Sequence, residues 1–186
     1  MITGYIIACI ILAFILGLIV IRHCNTETSI LRQVQHQMDT FVRRLVHKYP
    51  NDPDVNRLRE RYKQTKLFLS DSIETYTVNK GEKIVMCIHN HRNDRKTLHE
   101  DINLLTFVAL HELAHVVCIT VDHTDEFWDT FRFLLTEAVG FKMYSPVDYN
   151  RNPVEYCAMI VSDNPFFGER SVDEINKHLT RIMENI

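Results

Sequence analysis

His111-Glu112-Leu113-Ala114-His115 is the stretch that decides the fold, and apolar residues extend from it on both sides, over 104–110 and 116–119. Two histidines four residues apart lie one turn apart on one face of a helix, where both imidazoles can bind the same metal ion. Glu112 then lies beside the ion, where a carboxylate can act as general base on water that zinc activates. The stretch therefore predicts a zinc site that performs hydrolysis.

The helix that carries this motif is predicted to be buried, because apolar residues surround it instead of forming one stripe. Asn103 is its expected N-cap. Two histidines and a glutamate inside a buried helix each need a partner, and one bound cation supplies a partner for all three. Cys118 continues the face of the two histidines, but one further turn carries it past the metal, so we expect a core cysteine there.

A catalytic zinc site needs a third protein ligand and one open position, and the chain offers two candidates for that ligand. His123 lies eight residues after His115, just past a turn that interrupts the apolar run. Glu137 lies twenty-two residues after His115, on a helix predicted to start at Asp125. Both candidates stay open at this point, with His123 preferred.

The N-terminal segment Ile2–Ile21 has twenty residues without a charge, long enough as a helix to cross a membrane. No basic residue precedes it and no small-x-small cleavage site follows it, so we expect an uncleaved anchor and not a signal peptide. Arg22, Arg32, Arg43 and Arg44 follow the segment, which places the soluble part on the cytoplasmic side of the membrane.

Two further helices are predicted before the metal-binding helix. Apolar residues recur at three- and four-residue steps from Thr26 to Tyr49, which indicates an amphipathic helix that Pro50 and Pro53 end. A second, charged helix is expected from Val55 to Leu69.

A β-hairpin is predicted between these helices and the motif. The β-branched segments Ile73–Val78 and Lys83–Ile88 flank the turn sequence 79–82. Its strand edge is a candidate surface for an extended substrate. The segment from His89 to Asp101 is polar, and its histidines are interpreted as loop residues.

Length, charge and cysteine content bound the class of protein. The 186 residues, 46% of them hydrophobic, suffice for one domain with a core. A net charge of −3 gives no general reason to expect a nucleic-acid surface. Five widely spaced cysteines predict reduced thiols in a cytosol-like compartment and not a disulfide framework.

The motif His111-Glu112-Leu113-Ala114-His115, followed by His123-Thr124-Asp125-Glu126-Phe127-Trp128, resembles the signature of the WLM and SprT-like minimal zinc metallopeptidases. The resemblance covers about 73–141. It implies a zincin-like fold, a peptidase activity and His123 as third zinc ligand. Some members of that family cleave proteins bound or crosslinked to DNA, a role that the membrane anchor and the absence of a strongly basic tail disfavour here. Similar anchored proteins are associated with large DNA viruses.

The C-terminal part carries weaker signals. The segment 146–157 is rich in turn residues, and its Tyr149 and Tyr156 are candidates to stabilise the oxyanion of a tetrahedral intermediate. Ser171 begins a capping box that predicts a last helix up to Glu184.

Together these patterns predict an α+β, zincin-like helical domain with a small hairpin or sheet behind one transmembrane helix. We expect an anchor over 1–22, a helical segment over 23–70 and a metallopeptidase domain over 71–186 that forms one globular unit with 23–70. The predicted function is Zn²⁺-dependent hydrolysis of a protein or peptide substrate by a protein anchored in a host or virion membrane. The alternative is a non-catalytic, metal-binding structural protein of a membrane or virion.

Overall fold

The computed structural model describes residues 2–70, 72–92, 95–99 and 101–168. Within these ranges the chain is α+β, with four helices and three small sheets. The elements are α1 Ile2–Lys48, α2 Pro53–Tyr62, β1 Leu67–Leu69, β2 Tyr76–Val78, β3 Lys83–Met86, β4 His89–Arg92, β5 Arg95–Leu98, α3 Ile102–Val117, α4 Asp125–Gly140, β6 Val154–Tyr156 and β7 Met159–Val161. The predicted helix from Ser171 to Glu184 lies outside the described residues.

Helix α1 joins two segments that were predicted as separate helices. No proline interrupts the chain between the apolar segment and the amphipathic one, so a single helix of 47 residues forms. Its second half packs in the core, where Val34, Met38, Phe41 and Leu45 are buried. The apolar side chains described in its first half are exposed, and in the described part of the chain α1 alone is long and apolar enough to cross a membrane.

Helix α2 is shorter than predicted. Asp52 caps it by accepting hydrogen bonds from the backbone N–H groups of Asp54 and Val55. It ends at Tyr62, and Leu67–Leu69 forms strand β1, parallel to β3, so the expected helical continuation to Leu69 is wrong. Local helix propensity favoured a continued helix over these residues, but their pairing with the distant strand β3 makes them a strand.

Strands β2 and β3 form the predicted antiparallel hairpin, in a sheet with the order β1-β3-β2. Asn79, Lys80 and Gly81 all have positive φ in its turn. A Cβ at Gly81 would lie 3.0 Å from Cγ1 of Val116, so only glycine allows the turn to approach α3 this closely. The hairpin is therefore fixed against the motif helix.

Residues 89–98 contain strands β4 and β5, a second hairpin, so the interpretation of this segment as a loop is wrong. His89 is buried, and its Nε2 lies 2.7 Å from Oε1 of Glu27 in α1. The ring of His99 accepts a hydrogen bond from the backbone N–H of Cys157. The side chain of His91 is not in the described part.

Helix α3 is the predicted buried helix, with twelve buried residues among its sixteen. Its N-cap is Asp101, so the expectation of Asn103 is wrong by two residues: the Asn103 amide instead bonds the backbone of Ser145 in both directions. At the other end, Arg61 of α2 donates to the carbonyls of Val116 and Cys118, where a cation also complements the helix dipole.

Cys87, just after β3, and Cys157, in the turn between β6 and β7, form a disulfide. The expectation of reduced thiols is therefore wrong for this pair, which the fold brings together across 70 residues of sequence. Spacing along the chain gave no sign of that proximity. Cys118 is a buried free cysteine of the core, as predicted.

Candidate metal centre

His111, His115 and His123 converge on one point, although they come from two different segments. The first two project from one face of α3, one turn apart. The chain then leaves the helix, reverses at Asp122, whose φ is +70°, and returns His123 to the same face. One ring nitrogen from each histidine lies within 4.8 Å of the others, and Nε2 of His123 is 3.1 Å from Nε2 of His111.

The ring of Phe127 packs against the imidazoles of all three histidines. It is fully buried on the first turns of α4, and its ring centroid lies 4.8, 4.4 and 4.6 Å from those of His111, His115 and His123. Because Phe127 follows His123 by four residues, the turn that starts α4 also sets the place of the third histidine. The ring of Trp128 lies beside His123 at 5.7 Å.

The loop that carries His123 is held by hydrogen bonds at both sides. The Glu126 carboxylate accepts from the backbone N–H groups of Ile119 and Thr120, at 2.8 and 3.0 Å. Lys80, in the β2–β3 turn, donates to the carbonyl of Thr120. The histidine is exposed, but the backbone on which it sits is ordered by α4 and by the hairpin.

The two helical histidines are held neutral. Burial, followed by the nearby imidazoles of His115 and His123, lowers the pKa of His111 to about 3. Burial, followed by His123, lowers the pKa of His115 to about 4. A neutral imidazole has a free lone pair on one nitrogen, which is the form that binds a metal ion.

Glu112 lies next to this cluster and is almost completely buried, with 4% of its surface exposed. Burial raises the pKa of its carboxyl to about 7, against the lowering effect of a hydrogen bond from Thr77. The Thr77 hydroxyl donates to Oε2 of Glu112 at 2.7 Å. A carboxyl with a pKa near neutrality is suited to accept a proton and release it again.

Thr77 is a site residue that sequence reasoning missed. It lies on β2, and its hydroxyl is also 3.3 Å from the backbone oxygen of Glu112. The signal was present, because Thr75 and Thr77 share one face of a strand predicted just before the motif helix. The side of the hairpin that faces the helix was not readable from the sequence.

A cleft of about 750 Å³ opens over the histidines. One wall is β2 and another is the β6–β7 hairpin. Tyr156 lines the cleft, but its hydroxyl already donates to the carbonyl of Cys87 at 2.6 Å and lies 2.7 Å from Oγ1 of Thr75. Tyr149 does not line the cleft and packs instead against Phe107, at 4.9 Å between ring centroids.

Glu137, the alternative third ligand, is placed elsewhere. Its carboxylate accepts hydrogen bonds from Lys48 Nζ at 2.9 and 2.8 Å and from the Tyr49 hydroxyl at 2.8 Å. It is not in the histidine cluster. The structure thus brings His111, His115 and His123 together and leaves Glu137 in an ion pair between α4 and the end of α1.

The donor set fits zinc. His111, His115 and His123 would hold such an ion with three imidazole nitrogens, the number of protein ligands that catalytic zinc sites have, whereas structural sites have four. In the described residues no fourth histidine, cysteine or carboxylate joins the cluster.

No protein-family model matches the chain, and no solved structure matches it. Three curated viral proteins are similar to it. An uncharacterised protein, R325, of Acanthamoeba polyphaga mimivirus is 31% identical over 131 residues, which are 68% of this chain and 65% of that protein. The uncharacterised protein 042R of Invertebrate iridescent virus 3 is 40% identical over 46% of this chain and 50% of its own length.

The uncharacterised protein 136R of Invertebrate iridescent virus 6 is 32% identical over 48% of this chain and 49% of its own length. The chain therefore has viral homologues, and it spans between about half and two thirds of their length.

Proposed function

We propose that the chain is a membrane-anchored zinc metallopeptidase with a zincin-like fold, similar to the WLM and SprT-like enzymes. One observation supports this most: three imidazole nitrogens within 4.8 Å of one another, beside the buried carboxyl of Glu112. A buried carboxyl held by a single neutral hydroxyl is costly to maintain, and proton transfer gives it a use.

His111, His115 and His123 hold the ion in this proposal. When bound, zinc supplies a Lewis acid that polarises a water molecule and the carbonyl of the substrate. Glu112 takes a proton from the attacking water, with Thr77 fixing the direction of the carboxylate. The same carboxyl then gives the proton to the nitrogen of the departing amine, which completes hydrolysis of the peptide bond.

The substrate is a polypeptide in extended form. Strand β2 is at the edge of its sheet and lines the cleft along Thr75, Tyr76 and Thr77. An extended chain can add to such an edge through main-chain hydrogen bonds, which hold the backbone of the substrate beside Glu112.

The exposed apolar half of α1 is the proposed membrane anchor. Two observations oppose each other on the orientation of the anchor. The arginines after the apolar segment favour a cytoplasmic globular part, whereas disulfides such as Cys87–Cys157 are rare in the cytosol. We retain the cytoplasmic side in the proposal. An Asn-x-Ser/Thr glycosylation tag fused to the C-terminus tests it, because glycosylation of the tag in cells would place the globular part on the lumenal side and overturn the proposal.

The test of the function compares the full chain with its Glu112→Gln variant, both purified in detergent with zinc. Wild-type protein is expected to cleave an unfolded protein substrate, and the variant to be slower by about 10³-fold, because it lacks the general base. The zinc content of the two proteins should be equal. If both bind one zinc ion and neither cleaves, the site belongs to a non-catalytic structural protein.

A further inference from the structure

The cleft has an apolar rim that the fold leaves exposed. Outside α1, eight large hydrophobic side chains of the described residues are exposed, and four of these line the cleft: Tyr76, Val121, Met159 and Ile160. Val121 and Ile160 are the most exposed of them, at 70% and 68%. Exposed apolar groups gathered around one concave site indicate a surface that binds a ligand.

The apolar rim has two parts, the α3–α4 loop at Val121 and the β6–β7 hairpin at Met159 and Ile160. The backbone of both parts is held in place, so the exposure of these side chains does not come from a loose backbone. Met159 and Ile160 lie on the β6–β7 hairpin, which the Cys87–Cys157 disulfide ties to the end of β3. Val121 follows Thr120, whose backbone is bonded to both Glu126 and Lys80. The fold holds these side chains toward the cleft although burying them elsewhere would lower the free energy of the folded protein.

The interior of the cleft is apolar as well. Phe107, Val108 and Phe131 line it and are buried in the core. The exposed carboxylates among the lining residues are Asp122 and Asp163. Lys80 lines the cleft as well, and its cation together with a bound zinc ion would offset these carboxylates, so charge does not set the preference. An apolar segment would bury apolar surface on both sides of the cleft.

We propose that the cleft selects extended polypeptide segments that carry large apolar side chains on both sides of the bond above Glu112. This inference rests on the proposed function for the position of that bond, but not for the binding itself. Ile160 and Met159 receive one apolar side chain of the segment, and Val121 receives another. The specificity is thus built from both parts of the rim, the α3–α4 loop at Val121 and the β6–β7 hairpin at Met159 and Ile160.

The experiment measures binding separately from cleavage. Full-length Glu112→Gln protein with zinc is titrated with two short dye-labelled peptides, and fluorescence anisotropy gives each Kd. One peptide has leucine and phenylalanine around its centre, and the other has the uncharged polar residues asparagine and serine at those positions. The apolar peptide is expected to bind at least about tenfold more tightly.

Two variants locate the preference. Ile160→Ser and Val121→Ser in the same background should each reduce the preference for the apolar peptide several-fold. Phe68→Ser is the matched control, because Phe68 is 48% exposed on β1 and does not line the cleft. Thermal unfolding of each variant identifies any that fail to fold, and Met159→Ser replaces such a variant.

Equal Kd values for the two peptides, or tighter binding of the polar one, overturn the inference. An equal loss of preference in Phe68→Ser overturns it too. Apolar preference in binding without any cleavage by wild-type protein supports the inference while the proposed peptidase function fails. Cleavage that depends on Glu112 but ignores the flanking side chains gives the opposite result, with the function retained and the inference wrong.

Discussion

Glu112 and Glu137 are both glutamates in core helices, and they are almost equally buried, with 4% and 6% of their surface exposed. Their surroundings differ. Glu137 accepts hydrogen bonds from a lysine and a tyrosine, so its charge is paired at the junction of α1 and α4. Glu112 receives one bond, from the neutral hydroxyl of Thr77, and burial raises the pKa of its carboxyl to about 7.

Under the proposed function, the difference separates a carboxylate that stabilises the fold, Glu137, from one that transfers protons, Glu112. A buried charge with a cationic partner contributes to the packing of two helices, and removing the partner leaves an unpaired charge. A buried carboxyl without a cation is unfavourable for folding, and such groups concentrate where proton transfer or metal binding gives them a role. The sequence alone made Glu137 a candidate zinc ligand. Its bonds to Lys48 and Tyr49 indicate instead that it stabilises the contact between α1 and α4.

The largest effect is expected from the third histidine. His123→Ala should lower zinc affinity by at least about 100-fold, since it removes one of three ligands. Glu137→Ala should retain full zinc content. Competition with a chromophoric chelator measures both affinities. Zinc loss in Glu137→Ala with full zinc in His123→Ala would exchange the roles of the two residues.

Glu137→Gln is expected to reduce the free energy of unfolding by about 1–3 kcal/mol, because the buried ion pair with Lys48 is replaced by a neutral bond. We place the value in the lower part of the range for buried pairs, since half of the Lys48 side chain is exposed. Chemical denaturation measures the loss. The conservative control is Lys48→Arg, which keeps a cation, and an equal loss there would show that the pair contributes only by packing.

Glu112→Gln is expected to stabilise the metal-free protein at pH 8, in contrast to Glu137→Gln. The folded pKa of Glu112 is about 7, above its ordinary value of 4.5, so its contribution to stability is present below pH 4.5 and is lost as the pH rises through 7. Wild-type protein should therefore be less stable than the variant at pH 8, by up to about 3 kcal/mol.

This prediction needs a difference between two pH profiles, because His111 and His115 act in the opposite direction. Their lowered pKa values make the metal-free protein less stable as the pH falls below about 6.5. Both proteins share that effect, and subtracting one profile from the other isolates Glu112. Denaturation after dialysis against a chelator supplies the data, and a flat difference from pH 4 to pH 8 contradicts the raised pKa.

The smallest effect is expected from Thr77→Val, which keeps the shape of the side chain but removes its hydroxyl. Peptide cleavage should fall by about tenfold in kcat with little change in KM, because Glu112 loses its orienting bond but the cleft is unaltered. Thr77→Ser should restore most of the rate. A matching loss in Thr75→Val would mean that strand packing, and not the bond to Glu112, determines the rate.

The features that could be predicted from the sequence are those that depend on local sequence patterns. The spacing of His111 and His115, the burial of their helix and the hairpin before it follow from periodicity and turn residues, and the structure has these elements. It also brings His123 to the pair, as the preferred ligand assignment required.

Features that depend on distant partners were not predictable in the same way. The parallel pairing of Leu67–Leu69 with β3, the disulfide across 70 residues and the ion pair of Glu137 with Lys48 each join segments far apart in sequence. No local propensity encodes which distant segment becomes a neighbour. Thr77 belongs to the same group, because its role depends on how the hairpin docks on α3.

The unbroken course of α1 links the orientation of the cleft to the lipid bilayer in the proposed arrangement. Each residue of a helix advances 1.5 Å and turns by about 100°. One residue inserted between Arg22 and Thr26 would therefore rotate the globular part by more than a quarter turn about the membrane normal, whereas seven would nearly restore its angular phase and lift it by about 10 Å. The length of this helix therefore sets both the distance of the cleft from the bilayer and the direction in the membrane plane toward which the cleft opens.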